Sequence, residues 1–72
     1  MNIQEIFGLN VKKIREHKAW SQELLSEKSL LHRTYISGIE RGVRNPTIEI
    51  VDRVANALNV PIAELFKEHN QK

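Results

Sequence analysis

A run of short polar and cationic side chains lies between Arg33 and Arg41. On a helical wheel at about 100° per residue, Ile36 and Ile39 fall on one side of this run. The opposite side carries Thr34, Ser37, Gly38 and Arg41. Two isoleucines on one side would anchor the helix to a core. Small polar groups and cations on the other side are the chemistry that base edges and phosphates require.

Two short helices separated by a tight turn would position these side chains. Ser21 is suited to N-cap a helix from Gln22 to about Ser29, and the turn then runs to His32. The second helix begins at Arg33 and stops at Gly42, where glycine adopts the left-handed C′ conformation easily. This is the sequence form of a helix-turn-helix, with its core at residues 21–42.

The first turn of the second helix holds the strongest candidates for base readout, since this end meets the bases in helix-turn-helix docking. Arg33 is suited to bidentate bonding with guanine N7 and O6, worth about 1–3 kcal/mol of discrimination. Thr34 offers a hydroxyl and a methyl group suited to thymine.

Further candidates surround this turn, each with a plainer interpretation beside it. Tyr35 projects sideways and either stacks near DNA or packs at the helix edge. Gly38 either permits close approach to a groove or is merely tolerated in the helix. Gln22 is placed to grip a phosphate or to start a helix in solvent, and Arg44 and Asn45 lie in a loop that reaches DNA or is only solvated.

The remaining chain supplies three more predicted helices. Ile3, Phe7, Val11 and Ile14 recur at helical spacing and predict an amphipathic first helix from Asn2 to about His17. After the loop marked by Asn45 and Pro46, Thr47 can cap a helix from Ile48 to Leu58. Its apolar stripe is Val51, Val54, Ala55 and Leu58. Pro61 suits the first turn of a short fifth helix that ends near Lys67.

We therefore predict an all-α fold, a compact five-helix bundle that forms one domain over residues 1–72, with a frayed polar tail at 68–72. A core of this size rarely supplies more than about 3–5 kcal/mol, so a partner subunit is expected. The apolar residues in excess of a lone core are Ile48, Ile50, Val60, Ile62 and Phe66. We expect them to line a homodimer interface.

Composition narrows the function. Residues 1–45 carry eight Lys or Arg against five Asp or Glu, whereas the rest carries three against four, which favours a polyanion partner for the first part. The chain has no Cys, no apolar run long enough to cross a membrane and no signal-peptide pattern, so we expect a cytoplasmic protein without membrane contact. His17, His32 and His69 show no metal-ligand spacing, and no nucleophile has a base partner. We expect no enzyme, metal, cofactor or small-molecule ligand.

The sequence resembles the Cro and phage-repressor type of helix-turn-helix domain from about Phe7 to Phe66. The residues that carry this resemblance are Ser21-Gln22-Glu23, Leu25, Leu31, Arg33, Tyr35-Ile36, Ile39-Glu40-Arg41-Gly42, Asn45-Pro46, Ala55, Ala57-Leu58 and Glu64-Leu65-Phe66. The resemblance implies a lambda-repressor-like fold that binds a pseudo-palindromic double-stranded DNA operator as a dimer. Within the family, the run from Leu31 to Ile36 looks most like the controller proteins of restriction-modification systems, which activate transcription at low occupancy and repress it at high occupancy.

Carried over by motif position, the resemblance implies particular roles. Arg33, Thr34, Tyr35, Ser37 and Arg44 would touch DNA, with Gln22 and Asn45 near phosphates. Arg15 and Glu40 match a pair that forms a salt bridge between the first and third helices. RNA polymerase becomes a further partner if binding activates transcription.

Two residues depart from the family pattern in the turn region. Leu30 stands where glycine is usual, and Ser26 where alanine is usual. Either Leu30 adopts a positive φ at a cost of about 1–3 kcal/mol, or the turn differs and the second helix is set at another angle.

Other functions remain open at this stage. A shortened phage or plasmid repressor has the same features, and an antitoxin or protein-interaction module could use the same fold.

Overall fold

The computed structural model describes residues 1–68, which form four α-helices followed by one turn of 3₁₀ helix, with no strand among them. The helices are α1 (Ile3–His17), α2 (Gln22–Ser29), α3 (Arg33–Glu40) and α4 (Ile48–Leu58), and the 3₁₀ helix is Ile62–Phe66. The all-helical prediction is confirmed. His69 and the predicted tail, apart from Glu68, lie outside the described residues.

The prediction of a fifth α-helix was wrong in type. Pro61 lies before the segment as its N-cap, and the Glu64 amide donates to the Pro61 carbonyl over 3.0 Å, which is the i to i+3 bond of a 3₁₀ turn. Five residues are too few to repay the nucleation cost of an α-helix. The segment is held instead by tertiary contacts.

Side-chain caps fix where each α-helix begins. Ser21 Oγ accepts from the Leu24 amide over 3.0 Å, and Thr47 Oγ1 accepts from the Ile50 amide over 3.2 Å, so both predicted caps are confirmed. The sequence predicted Asn2 as the first residue of α1, but the helix begins at Ile3. Asn2 is the N-cap, and its side chain forms a reciprocal capping box with Glu5.

One apolar cluster holds the helices together. The predicted α4 stripe of Val51, Val54, Ala55 and Leu58 is buried in full. The other buried members are Phe7, Val11, Leu25, Ile36, Ile39 and Leu65. Ile3 does not join the α1 stripe as predicted, since its side chain is 58% exposed where the first turn of α1 extends past the core.

Gly8 allows α1 and α3 to pack at close range. A Cβ atom built on Gly8 would lie 2.0 Å from the backbone oxygen of Ile39, which no rotamer change can relieve. The approach brings the middle of α1 against the C-terminal half of α3. Helix packing therefore fixes the axis of α3, which is too short to be stable alone.

The turn between α2 and α3 keeps its left-handed residue although that residue is leucine. Leu30 has φ 61° and ψ 31°, and its side chain is 82% exposed. The Leu30 amide donates to the Ser26 carbonyl, and the Ser26 hydroxyl donates to the Leu31 carbonyl. Of the two alternatives for this turn, the structure shows the positive φ.

Gly42 ends α3 as the sequence predicts. Its φ is 76°, the Val43 amide donates to the Gly38 carbonyl over 3.1 Å, and the Gly42 amide donates to the Ile39 carbonyl over 3.0 Å. These two bonds form a Schellman motif, which satisfies the last carbonyls of the helix.

Replacing Leu30 with glycine should raise the free energy of unfolding by about 1 kcal/mol, because a left-handed L-residue costs about 1–2 kcal/mol and little apolar burial is lost. Chemical denaturation measures the change. Asn59→Gly is the matched control, since Asn59 has φ 60° but asparagine tolerates this conformation. A fall in stability for Leu30→Gly would show that the turn is not strained.

Candidate nucleic-acid interface

A buried ion pair joins α1 to the last residue of α3. Arg15 Nε lies 2.6 Å from Glu40 Oε2, Arg15 Nη2 lies 2.9 Å from Glu40 Oε1, and the two side chains are only 10% and 4% exposed. Arg15 Nη1 also donates to the Trp20 carbonyl over 2.7 Å. The hydrogen bond with Glu40 raises the pKa of Arg15 and outweighs the opposing effect of burial. This bidentate pair is the one that the family resemblance led us to expect.

Gln22 extends the ion pair to α2. Its Nε2 donates to Glu40 Oε1 over 3.0 Å, so one carboxylate is bonded by side chains from both α1 and α2. The sequence suggested a phosphate contact or a solvated helix starter, and neither interpretation anticipated this bond. The amide still has a second N–H to donate at the N-terminus of α2. The bond to Glu40 therefore orients the Gln22 side-chain amide and leaves one of its N–H groups available as a donor.

The N-terminal end of α3 is open. Arg33 and Thr34 are exposed, as are Arg41 and Asn45, whereas Ser37 is half-buried. His32 caps the helix, with its Nδ1 accepting from the Thr34 amide over 3.0 Å. The cap fixes the backbone at the turn that carries the two predicted readout residues.

Arg44 folds back over α3 and covers Gly38. Its guanidinium carbon lies 5.0 Å from the centre of the Tyr35 ring, which is a cation–π contact. A Cβ atom on Gly38 would lie 2.8 Å from Arg44 Cγ, so the glycine makes room for this side chain. The sequence placed Gly38 on an open outward face, but the residue is buried. Gly38 lies under the Arg44 side chain, which also contacts the Tyr35 ring.

Two lysines beside Trp20 were not predicted from the sequence as neighbours. Lys18 Nζ and Lys28 Nζ lie 5.2 Å and 5.1 Å from the ring centre of Trp20, which is itself partly buried against the core. Spacing within one helix could not predict this pair, because Lys18 follows the end of α1 and Lys28 lies in the last turn of α2.

The residues predicted for self-association divide into two groups. Ile48 and Ile62 are 83% and 39% exposed, whereas Ile50, Val60 and Phe66 are partly buried against the core. The Phe66 ring stacks on Phe7 with centres 5.4 Å apart. Beside Ile48 lies an apolar groove of about 200 Å³. It is lined by Ile3, Gln4, Phe7, Asn45, Pro46, Ile48, Val51 and Phe66.

Two further observations concern residues 1–68. No helix in this range is both long enough and apolar enough to cross a membrane. No three His, Cys, Asp or Glu side chains in this range are grouped as metal ligands would be.

Comparison with known proteins gives the family. A model described as "Helix-turn-helix" matches residues 11–65. The control protein C.BamHI of Bacillus amyloliquefaciens is 45% identical, over 90% of this chain and 82% of the relative. The chain belongs to this helix-turn-helix family, and control proteins are among its close relatives.

Solved structures agree with this assignment. The restriction-modification controller protein C.AhdI from Aeromonas hydrophila superposes with a TM-score of 0.84 at 38% identity, covering 88% of this chain and 96% of that one. The controller C.Esp1396I, solved as a tetramer in complex with its natural 35 base-pair operator, gives 0.80 at 39% identity, covering 93% and 99%. These two controllers therefore share the fold described above.

Replacing Glu40 with glutamine should lower the free energy of unfolding by about 3 kcal/mol, because the buried Arg15 charge would lose its buried counter-charge and keep only the exposed carboxylate of Glu16 nearby. Glu16→Gln is the control, since Glu16 is 57% exposed and lies 3.9 Å from the same guanidinium. That change should stay within about 0.5 kcal/mol. Equal small losses in urea denaturation would contradict the importance of the pair.

Proposed function

We propose that this protein is a sequence-specific, double-stranded DNA-binding regulator of transcription that acts as a homodimer on a pseudo-palindromic operator, and that it controls a restriction-modification system. The observation that carries the proposal is the exposed N-terminal turn of α3, with Arg33 and Thr34, on a helix held by the Arg15–Glu40 pair. Relatives named as control proteins support the choice of system.

The proposed base contacts come from α3. Arg33 reads a guanine, and Thr34 reads a neighbouring base. Tyr35 and Arg44 act together, because the guanidinium lies on the tyrosine ring, and they approach the groove from the side of Gly38.

The proposed backbone contacts flank α3. Gln22 donates its second N–H to a phosphate at the N-terminus of α2. Ser37, Arg41 and Asn45 serve the same surface farther along α3 and its loop. These contacts would set register on the duplex rather than select sequence.

The proposed homodimer uses the apolar surface at the start of α4. Ile48 is 83% exposed and borders the groove of about 200 Å³, into which an apolar side chain of a second copy would fit. Ile62 adds exposed apolar area on the 3₁₀ helix, while Phe66 and Val51 form the floor. Burial of this surface would supply stability that a small single core lacks.

Regulation follows from operator position. Binding upstream of its own gene and the endonuclease gene would activate transcription where RNA polymerase can contact the dimer and repress it where the promoter is covered. The site of action is then the cytoplasm, where bacterial DNA lies. The proposed role is regulatory and not enzymatic, in line with the regulators among its relatives.

Replacing Arg33 with alanine should reduce the preference for operator over mixed-sequence DNA by about 5- to 150-fold, the equivalent of about 1–3 kcal/mol. Selection from random duplexes supplies the operator, and titrations at one fixed salt concentration give both affinities. Arg53→Ala is the control, since Arg53 is exposed on α4 and carries the same charge. Equal losses on both DNAs for Arg33→Ala would reject base readout.

Replacing Ile48 with aspartate should shift the protein from dimer to monomer in sedimentation at micromolar concentration, because a charge would enter the proposed apolar interface. The fold should persist, since Ile48 is 83% exposed. Leu30→Asp is the matched control, since it adds the same charge at a different surface, where Leu30 is 82% exposed. The proposal fails if the unaltered chain remains monomeric even on operator DNA.

A further inference from the structure

A second groove lies between α1 and the 3₁₀ helix, and the proposed DNA-binding surface does not use it. Its volume is about 450 Å³, within the range of sites that hold several side chains of a ligand. Ile14 and Val60, both partly buried against the core, contribute its apolar part. Three lysines also line it, Lys13, Lys18 and Lys67, together with His17.

The positive charge of this α1 groove is only partly compensated. Glu64 is the one acidic lining residue among those described, and it pairs with Lys67, with Nζ and Oε2 3.1 Å apart. Lys13 and Lys18 form no salt bridge within residues 1–68. Lys18 lies over the Trp20 ring, which leaves its charge in place. A ligand that enters the groove therefore meets an apolar surface bordered by uncompensated cations.

The groove is on the face of α1 that is turned away from α3. At 100° per residue, Arg15 lies about 20° around α1 from Gly8, and both residues contact α3. Lys13 and His17 lie about 140° and about 180° from Gly8. DNA held against the outer face of α3 would leave this groove open.

Hydrogen bonds from Asn10 hold the backbone at one side of the groove. Buried Asn10 donates through Nδ2 to the Leu65 carbonyl over 3.1 Å and to the Lys67 carbonyl over 2.8 Å. These bonds attach the end of the 3₁₀ helix to α1. The backbone of Leu65 and Lys67 is therefore held against α1 beside the groove.

We infer that the α1 groove docks an acidic segment of another protein, with an apolar side chain against Ile14 and Val60 and carboxylates beside Lys13 and Lys18. Charge complementarity favours an acidic partner, and the apolar surface favours a peptide over a nucleic-acid backbone, which would offer phosphates but no apolar anchor. The inference does not depend on which operator the protein binds.

The test uses the whole 72-residue chain and a short synthetic peptide of Glu and Leu. Titration followed by NMR should move the methyl signals of Ile14 and Val60, and the fluorescence of Trp20 should change because Lys18 lies over its ring. Replacing every Leu of the peptide with Ser, or every Glu with Gln, should abolish these changes. Equal binding by the Leu-free peptide would reduce the site to nonspecific electrostatics and overturn the inference.

Adjacent lysines supply the matched variants. Lys13→Glu should weaken peptide binding by about three- to tenfold, whereas Lys12→Glu, with the same net charge but outside the groove, should change it less than about twofold. Equal effects of the two variants would overturn the proposed location. Lys67→Gln gives an independent check if Lys13→Glu impairs folding, and it should also weaken binding.

A DNA competitor and a sedimentation measurement separate this site from the proposed DNA and dimer surfaces. A saturating DNA duplex should leave peptide binding intact, and competition by DNA would assign the lysines to a nucleic-acid surface instead. Peptide binding should also leave the number of protein subunits measured by sedimentation unchanged. Dissociation of a dimer by the peptide would show that a second copy occupies the groove. Failure of DNA binding in the same experiments would reject the proposed function without affecting the peptide result.

Discussion

The arrangement of the helices depends on the hydrogen bonds that the Glu40 carboxylate accepts. It accepts two bonds from Arg15 of α1 and one from Gln22 of α2, while it is itself the last residue of α3. A negative charge is unfavourable at a helix C-terminus, so the residue makes physical sense only with its guanidinium partner. Three helices are thereby fixed at one buried point. These bonds also orient the exposed N-terminus of α3, which lies seven residues before Glu40.

Two glycines give the same helix its close contacts, for different purposes. Gly8 admits the α3 backbone to the surface of α1, where any Cβ atom would collide with the Ile39 carbonyl. Gly38 leaves space on α3 for the Arg44 stem, so that the guanidinium reaches Tyr35. The first contact sets the helix against the core, and the second attaches a loop cation to its outer side. Both concern space that a neighbouring segment fills, and neither is a matter of turn conformation.

Local signals predicted the α-helices well, and distant contacts explain what they missed. Ser21 and Thr47 were predictable as caps because a cap bonds only to the first turn of its own helix. The buried stripe of α4, which is Val51, Val54, Ala55 and Leu58, was predictable because its spacing places all four residues on one helix face. The bond from Gln22 to Glu40 joins residues 18 positions apart and has no local signature. The burial of Gly38 likewise depends on where the later loop folds, and the 3₁₀ segment depends on contacts with α1.

The turn between α2 and α3 shows how two departures from the family pattern act together. Leu30 at φ 61° costs about 1–2 kcal/mol relative to an unstrained residue, and its exposed side chain recovers little of this by burial. Ser26 supplies a bond that alanine could not, from its hydroxyl to the Leu31 carbonyl. Because the Leu30 and Leu31 amides also donate to the Ser26 carbonyl, one residue holds the turn at both polar groups. The bonds of the serine thus offset part of the strain of the leucine at the turn that leads into α3.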